Sequence, residues 1–324
     1  MSGRYEKDMA YENKTKKRLN GQPAVLTEYY YSLIGAGKSY GTAYNYICNI
    51  IKFLNFTYED GCPDDFYLNI KASHINKYIS SLRVQISKGE VKPTSDSMRT
   101  VQWSTLNSFF QFLVPEYINE NPVAHTQRPK MKDNPNVTYL TKKEISKLLK
   151  YVEKNAADKF RNRDLCLFKL GFTTGLRVSA IVQIDIDDID FKNNQIKVTE
   201  KGDRDEYVMF NDQVKAQLLL WLEDREKYFS DCNTKALFVS NHNKRLSTDR
   251  VGELITKYTE HITDKHVTPH VMRHSCATYL YEKTGDIYLC ASQLHHKNVA
   301  TTQRYAEISN SRKQEATNTL GNLI

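Results

Sequence analysis

Three short stretches decide the fold class: Ile186-Asp187-Asp188-Ile189-Asp190-Phe191, Gln195-Ile196-Lys197-Val198-Thr199 and Glu206-Tyr207-Val208-Met209-Phe210. They carry β-branched and aromatic residues and are separated by turn chemistry, Asn193-Asn194 and then Lys201-Gly202-Asp203-Arg204. Runs of this kind, bounded by Asn, Gly and Asp, read as small strands joined by hairpins. The sequence on either side of them is helical in pattern. The expectation is therefore a mainly α chain with a small β-sheet, the sheet set within a mixed α/β second half.

Working upstream, Thr141 followed by Glu144 fits a capping box ahead of Ile145, Leu148 and Leu149, and helical patterns continue to Val182. Before that lies Asn121–Asn136, with Pro122, Pro129 and Pro135 among polar residues and the cations Arg128, Lys130 and Lys132. This composition reads as an extended linker. From Pro23 to about Val123 the pattern is again helical. Tyr46, Ile47, Ile50, Ile51 and Leu54 share one face of a helix over 42–56. Ser73 is placed to cap a helix carrying Ile75, Tyr78, Ile79 and Leu82. A third helix follows Pro93, with Val101, Leu106, Phe109, Phe110 and Leu113 as its stripe and Pro115 at its end. No alternating strand is expected in this half. Residues 1–21 are polar, with the basic cluster Lys14, Lys16, Lys17 and Arg18, and read as a mobile tail or short arm. The domain plan is a tail over 1–21, a helical domain over 22–123, a linker over 124–138 and a second domain over 139–324.

Composition narrows the class. The 324 residues suit two domains, and 40% hydrophobic residues supply both with cores. No run approaches the ~20 apolar residues of a membrane span; even Ile47–Phe56 is broken by Asn49, Lys52 and Asn55. The polar start at Met1–Lys7 lacks a signal-peptide core, so the cytoplasm is the expected location. Six scattered cysteines with no CxxC pair suggest neither a zinc ribbon nor a disulfide framework. A net charge of +8, spread over both halves, permits nucleic-acid binding.

Four features carry chemistry. Thr173-Thr174-Gly175-Leu176-Arg177-Val178-Ser179 places an arginine after a glycine turn; alone, it reads as a surface arginine near a helix start. Lys201 sits in a tight hairpin turn, where a lysine is usually just solvated. In His270-Val271-Met272-Arg273-His274, residues 270 and 273 share a helix face and can converge on one ligand. Arginine suits phosphate because its planar fork donates two charge-assisted hydrogen bonds and stays ionised. A zinc reading through His270 and His274 is weaker, since the glutamate of HExxH is missing. Finally, Leu294-His295-His296-Lys297 precedes Thr301-Thr302-Gln303-Arg304-Tyr305. A tyrosine hydroxyl needs a base or a cationic field before it attacks anything.

Taken in order, these pieces resemble the tyrosine recombinase (phage integrase) family over nearly the whole chain. That family's pattern is an arginine after Thr-Gly-Leu, a hairpin lysine, His-x-x-Arg-His, Leu-Gly-His and a later tyrosine. It falls here on Arg177, Lys201, His270 with Arg273, His296 and Tyr305. The first half is similar to the family's helical core-binding domain, through Thr42–Tyr46 leading to Phe53-Leu54, Leu106–Leu113, and Asn121-Pro122 leading to Pro129-Lys130. The second half would be its mixed α/β catalytic domain. Two positions depart from the pattern. Ala180 stands where the family often has Glu or Asp, and His295 replaces the glycine of Leu-Gly-His.

The resemblance implies a site-specific recombinase that cleaves and rejoins DNA through a 3′-phosphotyrosine intermediate. Tyr305 would be the nucleophile, Arg177 and Arg273 would neutralise the non-bridging oxygens, and Lys201 would protonate the leaving 5′-oxygen. His270 would assist proton transfer and His296 would hydrogen-bond the phosphate. One phosphoester is exchanged for another, so no cofactor, ATP or metal is expected. The implied partners are double-stranded DNA gripped by both domains, a homotetramer on two synapsed sites, and accessory DNA-bending proteins. The segment from Arg312 to Ile324 could pack into a neighbouring subunit or against its own. Integration and excision of a mobile element leads the candidate roles, with chromosome-dimer resolution and DNA inversion beside it. A topoisomerase-like or telomere-resolving enzyme, a silent DNA-binding relative and a helical protein scaffold are the rivals.

Overall fold

The computed structural model describes residues 2–59, 61–87, 90–130, 137–200, 204–294 and 302. The chain divides into two compact units, residues 1–133 and 134–324.

In the first unit, α2 (Ala24–Gly35), α3 (Tyr40–Thr57), α4 (Ala72–Ser81) and α5 (Asp96–Leu113) enclose one apolar core. Leu26, Ile47, Ile50, Phe53, Phe66, Phe109 and Phe110 are fully buried in it. The apolar stripes read from sequence supply these inward faces, except that Val101, read as part of the α5 stripe, is 51% exposed. Ser39 caps α3 by accepting from Thr42 N at 3.2 Å, and Ser95 caps α5 by accepting from Met98 N at 3.3 Å. Gln102 on α5 joins its neighbours inside the core, donating to Asn49 Oδ1 at 2.8 Å and accepting from Tyr78 Oη at 3.3 Å.

Three local expectations are corrected here. Residues 2–19, read as a mobile tail, form helix α1 (Ser2–Leu19), which packs on α3. The contact is close: a Cβ on Gly41 would come 3.3 Å from the Tyr11 ring, and Thr15 and Leu19 are buried. A two-stranded antiparallel hairpin, β1 (Val84–Ser87) with β2 (Glu90–Pro93), stands where no strand was expected. Ser73 does not cap α4, which begins one residue earlier; instead Lys71 N donates to His74 Nδ1 at 3.0 Å. After α5, the chain read as linker starts out tied down. Trp103 Nε1 donates to Thr126 Oγ1 at 2.7 Å and Thr100 Oγ1 to the Pro129 carbonyl at 3.3 Å.

The second unit is built on α7 (Asp158–Thr174), which α6 (Lys142–Asn155) and α9 (Asp212–Phe229) flank. The capping box on α6 is present: Thr141 Oγ1 accepts from Glu144 N at 3.2 Å and Thr141 N donates to Glu144 Oε2 at 2.7 Å. Strands β3 (Ile189–Asp190), β4 (Gln195–Glu200) and β5 (Arg204–Met209) form an antiparallel sheet in that order. Ile196, Val198 and Val208 alternate onto its buried face. Helix α8 (Val178–Gln183) packs beside β4. Helices α10 (Thr248–Thr259), α11 (Pro269–Thr284) and α12 (Ile287–Gln293) complete the unit. Within the core, Arg163 is paired with Asp164 at 2.6 Å, and Tyr258 donates to the same carboxylate at 2.8 Å. Among the described residues no helix is long and apolar enough to cross a membrane.

Candidate active site

Gly175 terminates α7 in the left-handed region, at φ +65°, donating its N–H to the Gly171 carbonyl at 3.1 Å. A residue with a side chain would be strained there, which is why the turn needs glycine. Space makes the same demand: an added Cβ would lie 2.6 Å from Leu294 Cδ2 and 3.1 Å from Cys276 Sγ. Thr174 steadies the turn, its hydroxyl donating to the Leu170 carbonyl at 2.7 Å and accepting from Leu176 N at 3.3 Å. Arg177 follows as the N-cap residue of α8, with extended backbone at φ −65°, ψ 141°, and its carbonyl accepts from Ala180 N at 2.8 Å. Its side chain is half-buried. The turn thus stops one helix, starts another, and leaves an arginine at the junction.

Arg273 lies on α11 and is only 4% exposed. A buried cation must be hydrogen-bonded, and this one is. Nη1 donates to the Gly175 carbonyl at 2.8 Å, and Nη2 donates to the Leu294 carbonyl. Cys276, one turn further along α11, donates weakly to the Thr173 carbonyl at 3.6 Å. Burial pushes its thiol up to about 12, with Arg273 opposing, so it sits there as a neutral packing group. Gln293 Nε2 reaches the Thr174 carbonyl at 3.5 Å. The far side of α11 is fastened by Ser275, whose Oγ accepts from Leu140 N at 2.9 Å, and by Tyr279 Oη, which donates to the Leu140 carbonyl at 3.1 Å.

His270 is exposed in the first turn of α11, behind Pro269 at the start of the helix. The positive end of the helix dipole therefore lies beside it. Its ring centroid is 6.4 Å from that of His274, and no third His, Cys, Asp or Glu joins them as a metal cluster among the described residues.

Of the six residues singled out, the structure brings Arg273 onto the turn that carries Arg177 and places His270 on the helix of Arg273. Lys201, His296 and Tyr305 lie outside the described residues, as do His295 and the segment 312–324. Strand β4 ends at Glu200 and β5 begins at Arg204, so Lys201 belongs by sequence to the hairpin connection. Sequence reasoning missed Leu294 and Gly175 as packing partners. The Leu-x-His and Thr-Gly-Leu-Arg signals contained both but gave no hint that they touch.

A mainly helical unit with a three-stranded antiparallel sheet, carrying arginines on a helix-capping turn and on α11, has the architecture of tyrosine recombinase catalytic domains. Residues 138–312 match the model of the phage integrase family, and the chain belongs to that family. It is a tyrosine site-specific recombinase, an enzyme of DNA recombination. Tyrosine recombinase XerD of Staphylococcus epidermidis (strain RP62A) is 30% identical over 253 residues, covering 76% of this chain and 84% of the relative. Tyrosine recombinase XerC of Psychromonas ingrahamii is 33% identical over 207 residues, covering 63% and 68%. In fold, the chain is similar to the XerH site-specific recombinase bound to its difH substrate in a pre-cleavage complex. The TM-score is 0.68 at 22% identity, over 87% of this chain and 80% of that one. The Tn1549 transposon integrase in complex with circular intermediate DNA gives a TM-score of 0.66 at 19% identity, over 87% and 94%.

Proposed function

We propose that Tyr305 attacks a scissile phosphate of duplex DNA, forming a 3′-phosphotyrosine bond and releasing a 5′-hydroxyl, which a second strand's 5′-hydroxyl later reverses. Arg177 and Arg273 hold the non-bridging oxygens as charge builds on them. Lys201 protonates the leaving 5′-oxygen, His270 assists proton transfer from the tyrosine, and His296 donates to the phosphate. A core-binding domain over residues 22–123 and a catalytic domain over 139–324, joined by a linker over 124–138, both contact DNA. The working assembly is a homotetramer on two synapsed sites, in the cytoplasm.

The observation that carries this reading is Arg273. It is 4% exposed and hydrogen-bonded to the carbonyl two residues before Arg177 and to the carbonyl two residues before His296. A fixed guanidinium at that junction is suited to an oxyanion, because preorganised donors need no rearrangement as charge develops. The DNA complexes of XerH and of the Tn1549 integrase support duplex DNA as the partner.

For the biological role we favour integration and excision of a mobile element, a role that the likeness to the Tn1549 transposon integrase supports. Chromosome-dimer resolution is the second reading, favoured by the similarity to XerD and XerC. Covalent capture tests both. The protein is incubated with sheared DNA of its source genome, denatured, and the protein-linked fragments are sequenced, with Tyr305→Phe alongside. An adduct formed by the unmutated protein alone is the expected result. Fragments from the flanks of its own gene indicate a mobile element; a single distant chromosomal site indicates dimer resolution. An adduct that survives Tyr305→Phe would overturn the assignment of the nucleophile.

A further inference from the structure

We infer that Leu294 is a positioning residue for strand cleavage: seated in the cradle that Gly175 leaves open, it fastens the end of α12, two residues before His296 in the sequence, to the arginine turn. This rests on the reading of Tyr305 as the nucleophile.

Three contacts hold Leu294. Its side chain is fully buried and occupies the space that a Cβ on Gly175 would claim, at 2.6 Å from Cδ2. Its carbonyl accepts from Arg273 Nη2, whose Nη1 is bound to the Gly175 carbonyl. Its N–H donates to the Cys290 carbonyl at 3.0 Å, closing α12. Ala277 on α11 and the half-buried Val137 and Tyr281 pack around it. One arginine and one leucine therefore fasten the end of α12 to the turn before Arg177. Thr302, on the other side of His296, is fully buried as well.

A leucine needs no polar chemistry to act this way. In-line attack on phosphorus requires the nucleophile near contact distance and aligned with the leaving oxygen, and a misplacement of about 1 Å can cost about 10²-fold in rate. Trimming Leu294 empties the cradle and loosens the end of α12 from the turn that carries Arg177. A residue important only for stability would lower the melting temperature and leave the rate of the folded enzyme alone.

The test measures three quantities: single-turnover adduct formation on the duplex recovered by covalent capture, duplex affinity by fluorescence anisotropy, and the melting temperature. Leu294→Ala is expected to slow adduct formation by about 10–10²-fold with affinity held within about twofold, an effect on the reacting complex rather than on binding. Leu294→Met, nearly equal in volume, should recover most of the rate. Gly175→Ala should also slow the unmutated protein, since it displaces Leu294 as well as straining the left-handed turn and crowding Cys276. A wild-type rate in Leu294→Ala, whatever its melting temperature, overturns the inference. If the unmutated protein forms no tyrosine adduct on any genomic fragment, the nucleophile assignment fails first and this inference with it.

Discussion

A single buried arginine shows how structure and chemistry share one side chain in this protein. Arg273 gives two backbone carbonyls, Gly175 and Leu294, the donors they need away from water. Removing it should therefore cost twice. Arg273→Gln is expected to slow adduct formation by about 10²–10³-fold, the usual loss for one preorganised donor to a developing oxyanion. It should also destabilise the fold by about 1–3 kcal/mol, since buried acceptors lose their partners. Capture kinetics and thermal denaturation read the two effects separately. A variant that loses rate with an unchanged melting temperature would show that the two carbonyls do not depend on Arg273. The contrast is Arg163, equally buried at 4% but satisfied by Asp164 and by the Val239 carbonyl at 2.8 Å. Burial of an arginine does not by itself mark chemistry; the position of its partners in the chain does.

At the scale of elements, the start of α6 carries a pH-dependent fastening. Burial pushes the Glu144 carboxyl up, but Lys265 at 2.8 Å, the Thr141 N–H at 2.7 Å and the Thr263 hydroxyl at 2.8 Å together hold it down at about 2, against an ordinary 4.5. A carboxylate depressed in the folded state contributes stability that is fully present above its unfolded value and is lost as pH falls through its folded value. Stability should then decline between about pH 4.5 and pH 2, and Glu144→Gln should flatten that part of the profile while lowering stability at pH 7. Denaturant melts at a series of pH values would show it; an unchanged acid limb would mean that other carboxylates control the loss. This capping box was legible because its partners lie three residues apart. Strands β4 and β5 were legible for the same local reason, through β-branched runs and turn residues; of the run 186–191 only Ile189–Asp190 pairs as β3, its first half being the 3-10 turn Ile186–Asp188. Helix α1 was not: on its packed side Tyr11 is half-buried and Thr15 buried, and Leu19 at its end is a lone apolar contact, so no apolar stripe announced it. The hairpin β1–β2 has four residues to a strand, too few for alternation to stand out from a loop. The site was legible as a list of residues and silent as a geometry. The bond from Arg273 to Gly175 spans 98 positions, and no local pattern encodes a partner at that distance.

At the scale of the whole molecule, charge sets how the enzyme should meet its substrate. The net charge is +8, and lysines and arginines occur throughout both units, including Lys14, Lys16, Lys17 and Arg18 on α1. Neutralising a DNA phosphate releases condensed counterions, so the logarithm of the binding constant should fall linearly with the logarithm of salt, by about 0.9 for each phosphate engaged. A footprint of six to ten phosphates would lose about 10³–10⁵ in affinity between roughly 50 and 200 mM salt. The full-length chain should show such a line by fluorescence anisotropy. Tyr305→Phe should follow it with the same slope, because one phenol hydroxyl carries no charge to the phosphates before attack. Replacing Lys14, Lys17 and Arg18 together by Gln separates two roles for α1. If α1 only packs on α3, where Tyr11 meets Gly41, the slope is unchanged. If the helix also follows the DNA backbone, the slope becomes shallower by up to about 0.9 for each phosphate no longer neutralised. We expect the second result, since the last turn of α1 gathers Lys16, Lys17 and Arg18 at one end, and of these three it is Lys16 that the Glu12 carboxylate engages, at 2.7 Å. A flat response of the unmutated protein to salt would contradict phosphate-dominated binding altogether, and with it the use of this chain's surplus charge for holding DNA.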